Sequence, residues 1–300
     1  MLLLSLLVAL PASSCALSLP IQVAQRHNLE QEETKQAAAE TKKEKRKLPR
    51  LKSSKKKIVT KALGVMGRAK KEVTAAEAAE EVREVGRAAS LECIRVFANI
   101  EKAERLPLLL SVLAEILPDE DLDLVWAKLT KKTAPSARVY LLRRWADSKR
   151  KDAAKFLLTQ LKNESSAERF EVARGLAFRG EVKAIPELHV QLKARWTKES
   201  ELLRADLTGL PREALGASLE PYLSSPIYDD LLAGLRLYSF CGRPRDAALL
   251  LPALRDNRSQ IRLAAINACR ITLDGSEPLE RPSMTQLVEE GENWKKKIQP

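Results

Sequence analysis

Aromatic side chains are scarce in this chain, at 4% of 300 residues. A core without rings must be filled by Leu, Ala, Val and Ile, and such small side chains suit helices whose backbones approach closely. Histidine is scarcer still. His27 and His189 are the only two, which leaves no support for a metal site built on paired imidazoles. Eleven glycines offer little material for phosphate-cradling loops, and no Walker loop, GxGxxG, HExxH or GxSxG is present. The four cysteines, Cys15, Cys93, Cys241 and Cys269, form neither a CxxC nor a closely spaced even set, so a disulfide framework is not expected. Cys93, Cys241 and Cys269 stand among apolar residues and read as small buried hydrophobes. These absences predict an all-α protein with no cofactor and no catalytic activity.

Charge is abundant but unevenly placed. The net charge is +12, yet residues 41–71 carry 14 Lys/Arg against Glu44 alone. Ahead of that segment, MLLLSLLVALPASSCALSLP has an apolar run too short to span a bilayer, which needs ~20 residues, followed by small residues suited to cleavage after Ala16. Residues 1–16 read as a signal peptide, which predicts export to the periplasm or beyond. Ala12-Ser13-Ser14-Cys15 also resembles a bacterial lipobox, with Cys15 as the acylated residue. Residues 17–57, rich in Gln, Glu and Lys and free of aromatics, read as a disordered linker. Its basic part (Lys42, Lys43, Lys45, Arg46, Lys47, Arg50, Lys52, Lys55, Lys56, Lys57) is a candidate arm for a polyanion or anionic lipid; the plainer reading is a solvated tether. Residues 58–86 read as a helical lead-in, with Thr74 and Glu77 as a capping box.

Beyond residue 87 the chain repeats. Taking Ala114, Ala146, Ala177, Leu207, Ser239 and Arg270 as markers near the end of each second helix, the intervals are 32, 31, 30, 32 and 31 residues. A period in the thirties is that of stacked helical hairpins. Seven or eight residues past four of the markers stand Ala153, Ala184, Ala214 and Ala247, opening the next first helix. Gly180, Gly242 and Gly209-Leu210-Pro211 supply turns. Residues 276–300 read as a terminal cap in which Ser283 to Ile298 form a helix, with Leu287, Val288 and Trp294 on the core side.

The segments RFEVARGLAFRGEVKAIPELHVQL and LRDNRSQIRLAAINACRITLDG resemble HEAT repeats, in particular the bacterial subtype shared with phycobilin-lyase subunits. The resemblance covers residues 87–275, strongest at 151–193 and 245–275 and weak at 195–225. It implies a right-handed α-solenoid of about six hairpins, with second helices lining a concave face, and the role of an interaction scaffold.

One position stands out against that pattern. Three residues before the markers lie Arg143, Arg174, Arg204, Arg236 and then Asn267. On a shared face these would form a ladder able to hold acidic groups of a protein partner or of a polyanion. The alternative is a solvated face with local pairs such as Arg174 with Glu171. Arg138, Arg169 and Arg262, eight before the markers, match the family's Val-Arg position and read as structural. HEAT-like DNA glycosylases use Trp, Asp and Arg on one groove; here Arg143, Arg144, Trp145 and Asp147 crowd one helix end and cannot all face one way. Trp145, Trp126 and Trp196 read as packing residues. The leading expectation is therefore a protein-binding scaffold, with a polyanion-binding module next and a glycosylase remote.

Overall fold

The computed structural model describes residues 46–100, 104–130, 132–163 and 165–299. The signal-peptide reading, Cys15, and Lys42, Lys43 and Lys45 fall outside them. Leu48–Pro300 make one compact unit, to which the following description applies. Among the described residues every regular element is helical and none is a strand.

The unit opens with helix α1, Ser53–Arg68, five residues ahead of the expected Ile58. Lys55, Lys56 and Lys57 thus belong to a helix whose Val59, Ala62, Leu63 and Met66 are buried at three- and four-residue spacing. Helix α2, Glu72–Val85, packs along α1 through Ala75, Ala78, Ala79 and Val82. It begins ahead of Thr74, so the expected capping box is not made. Lys71 holds the N-cap position, without a side-chain bond.

Pairs of helices then follow: α3 (Ser90–Ile100) with α4 (Leu106–Ile116), short α5 (Leu122–Trp126) with α6 (Pro135–Asp147), and α7 (Ala153–Gln160) with α8 (Ser166–Ala177). Helix α9 runs from Ile185 to Leu207 but breaks at Glu199, whose φ of −136° and ψ of 26° are not helical. Its two halves occupy the places of a first and a second helix, with a corner in place of a loop. Next come α10 (Arg212–Leu215) and α11 (Glu220–Leu223) before α12 (Tyr228–Cys241), then α13 (Leu251–Leu254) before α14 (Ser259–Cys269), and finally α15 (Met284–Ile298). From α6 onward each second helix packs on the next: α6 on α8, α8 on α9, α9 on α12, α12 on α14 and α14 on α15.

Small residues permit these contacts. A Cβ added to Gly175 of α8 would come within 2.5 Å of the Ala146 methyl on α6. The markers Ala146, Ala177, Leu207 and Ser239 are buried, whereas Ala114 and Arg270, at the ends of the series, are not. Ala153, Ala184 and Ala247 are buried as expected; Ala214 is exposed, its methyl lying against Gly180, whose φ of +76° independently calls for glycine.

After α14 the chain widens into a π turn over Arg270–Asp274, stopped by Gly275 in the left-handed region. An extended strap follows. The Asn267 carboxamide clamps it, accepting from the Leu279 N–H at 2.7 Å and donating to the Leu279 carbonyl at 3.0 Å. Ser283 caps α15 by accepting from the Gln286 N–H, which sets Leu287 and Trp294 into the core. Val288, expected beside them, is instead 46% exposed: one step round the helix from Leu287, it falls on the outer face.

Candidate partner-binding groove

The five ladder positions are spread over α6, α8, the second half of α9, α12 and α14, the helices that pack in succession. Their side chains fall into three different situations. Arg143 reaches Asp206 at 2.6 Å and Glu171 at 3.4 Å. Arg174, only 6% exposed, holds Glu171 at 3.1 Å and Asp147 at 2.8 Å. Two arginines are therefore met by three carboxylates in a network joining α6, α8 and α9, buried at Arg174, Glu171 and Asp206 and exposed at Arg143 and Asp147. Burial pushes the Glu171 carboxyl above its usual range, although Arg174 and Arg143 pull it back. For Arg174 burial acts to lower the guanidinium pKa, but Glu171 and Asp147 outweigh it and the group stays charged. Asn267, the fifth position, spends its amide on the strap.

Arg204 and Arg236 differ from the others. Their guanidinium carbons lie 5.1 Å and 4.8 Å from the Trp196 ring centre, and among the described residues no hydrogen bond or ion pair engages either group. Trp196 ends the first half of α9, Arg204 sits in the second half, and Arg236 comes from α12. The break at Glu199 thus swings Arg204 round toward the indole, while Arg195 folds onto Glu199 at 2.5 Å and steadies the corner. Desolvation pulls the Arg236 pKa down to about 10; Tyr228 and Asp229 pull it back without offsetting burial, and the like charge of Arg204 adds to the fall. At neutral pH Arg236 remains a cation, half-buried and in no direct ion pair, with Asp229 as the nearby carboxylate that acts on it.

These groups line a groove of 640 Å³ running between the corner of α9, α12, α14 and the strap. Leu232, Phe240, Leu263 and Leu279 give it apolar walls, while the exposed Glu201, Glu277 and Glu280 stand at its edge. The cleft continues past Arg204 and beneath Gly275–Pro278 into a further 270 Å³, where Arg212 is fixed by the carbonyls of Gly242 and Ser239. The sequence reading had the arginine spacing but missed Trp196. Half-buried and close to two guanidiniums, it lines the groove. Its only sequence signal is that its neighbours lie in the stretch where the repeat is weakest.

The remaining candidates are placed as follows. Arg138 forks onto Glu168 at 2.9 and 3.2 Å, joining α6 to α8, and Arg169 reaches Glu187 at 3.1 Å. Arg262 bonds the Asp256 carbonyl within its own hairpin. Of the basic arm, Arg46 and Lys47 precede the compact unit, and Arg50, Lys52, Lys55, Lys56 and Lys57 are exposed, Lys56 lying 3.5 Å from Glu92. Trp145 is buried and stacked on Phe156 at 4.1 Å, and Asp147 is tied to Arg174, so the four residues weighed for glycosylase chemistry do not share a groove. His189 bonds the Asp230 carbonyl and leans on Tyr222. Burial pushes the Cys93, Cys241 and Cys269 thiols up to about 12. Among the described residues no cluster of metal-ligating side chains occurs, and no helix is long and apolar enough to cross a membrane. No protein-family model, curated protein or solved structure matches the chain.

Proposed function

We propose that the chain is a HEAT-like right-handed α-solenoid that acts as a non-catalytic scaffold, taking a segment of a protein partner on the concave face of its second helices. One observation carries this reading: the second-helix layer opens, at α9, α12 and α14, into a groove of mixed polar and apolar lining that holds two guanidiniums engaged in no ion pair. A concave site with a few convergent polar groups is the usual form of a binding site. The successive packing of second helices and their near-constant 30- to 32-residue interval support the repeat architecture. A ladder-wide polyanion reading is weaker, because Arg143 and Arg174 already face carboxylates.

A photo-crosslinking residue placed at Thr197 or Glu280, compared with one at Lys155 on α7, tests the proposal in the native cell. Thr197 and Glu280 should capture the same protein while Lys155 does not; equal capture from Lys155, or none from the groove, would overturn it. Export is proposed with it, on the residue pattern of 1–16. A mature protein in the cytosol that retains Met1 would remove that part.

A further inference from the structure

The ladder contains its own control. At one and the same repeat position, Arg143 and Arg174 are each met by two carboxylates, all from a neighbouring helix except Glu171, which meets Arg174 from one turn away on α8 itself. At that position in the next two repeats, Arg204 and Arg236 make no ion pair, and both guanidiniums lie within about 5 Å of the Trp196 ring centre. At the first two positions the chain neutralises its own cations, although Arg143 remains exposed. Where it does not, the same charge arrangement faces a groove, and the missing carboxylate is left for an occupant to bring.

From this we infer that the groove binds an extended segment of a protein partner through one Asp or Glu side chain seated between Arg204 and Arg236 over Trp196. The inference rests on the scaffold reading above and gives its ligand a chemistry. Leu232, Phe240, Leu263 and Leu279 require apolar residues on either side of that acidic one. A cleft of 640 Å³ with a 270 Å³ continuation has room for a short stretch of chain, not for a folded domain. The rim decides between an acidic peptide and a nucleic acid. Glu201, Glu277 and Glu280 are exposed around the two half-buried guanidiniums, so a uniformly charged phosphate backbone would meet three carboxylates for the two cations it gained. A single carboxylate in an apolar sequence reaches the floor without that repulsion, and a Lys or Arg beyond it finds the rim.

The experiment is selection of a random linear dodecapeptide phage library on the full chain, followed by fluorescence polarisation with the enriched peptide. Enriched sequences should share one Asp or Glu between apolar residues. Changing that residue to Asn or Gln should weaken binding at least tenfold, and so should Arg204→Gln combined with Arg236→Gln. Arg143→Gln should leave affinity within about twofold. Arg236→Gln alone breaks no ion pair, so it provides a folded variant, checked by thermal melting, should the double change unfold the chain. Enriched peptides without an acidic residue, no enrichment at all, or affinity unchanged by Arg236→Gln would each overturn the inference. A 20-nucleotide single-stranded DNA that binds more tightly than any peptide and is lost in the same variant would overturn it in favour of a polyanion. Failure here with intact crosslinking from Thr197 leaves the scaffold standing with a different ligand chemistry; peptide binding without crosslinking in the cell removes the scaffold's docking role instead.

Discussion

At the scale of single residues, the network around Glu171 illustrates how a buried charge constrains its neighbours. Arg174→Met leaves buried Glu171 with Arg143 alone and Asp147 without a guanidinium, and should cost about 3 kcal/mol of stability at pH 7, measured by urea denaturation. The pH dependence follows from Glu171. Its folded pKa lies above the usual carboxyl value, so between the two the folded state holds a proton that the unfolded state has lost, and stability falls as pH rises through that window. Removing Arg174 takes away a stabilising cation and moves the upper edge of the window higher; the deficit of Arg174→Met should therefore shrink between pH 7 and pH 5. The buried thiols shift in the same direction and for the same reason. Because burial holds Cys93, Cys241 and Cys269 near 12, native protein at pH 8 should show no iodoacetamide adduct at these three positions by mass spectrometry, and all three should label in urea. The arginine ladder was legible as a spacing, but the partners were not: Asp206 is 63 residues from Arg143, and nothing local to either residue brings them together.

Among elements, close helix contact is the controlling quantity. Gly175→Ala places a methyl 2.5 Å from that of Ala146 and 2.7 Å from its Cα, a backbone atom that cannot swing aside. It should destabilise by about 2 kcal/mol in thermal or urea unfolding, and Ala146→Gly should recover part of the loss by vacating the facing space. The helix boundaries that the sequence revealed were those with a chemical stop or start, such as Ser283 ahead of α15 and Gly180 after α8. Those it concealed lacked one. Helix α1 starts at Ser53 without a side-chain cap and α2 at Glu72 likewise, so Ile58 and Thr74 looked like starting points only because apolar periodicity and a capping pattern happened to begin there. The corner at Glu199 carries neither Pro nor Gly, and a sequence reading runs straight through it. That is also why Trp196 looked like one more packing residue.

For the unit from Leu48 to Pro300, contacts run between successive pairs of helices, so stability is expected to be a sum of neighbouring terms and not one all-or-none quantity. Leu287→Ala, at the C-terminal cap, should speed amide exchange in α14 and α15 by at least tenfold in hydrogen-exchange mass spectrometry while leaving α1 and α2 unchanged. The all-helical class was visible from composition because that is a property of the entire chain. The groove was not, since it arises where the period is kept and its residues are lost. Its remaining wall, the strap pinned to Asn267, has a further consequence. Strap and α15 are continuous, so whatever occupies the groove and whatever loosens the last helix share one free energy. Occupancy tightens the C-terminal end, and trimming or modifying that end lowers affinity by the same factor.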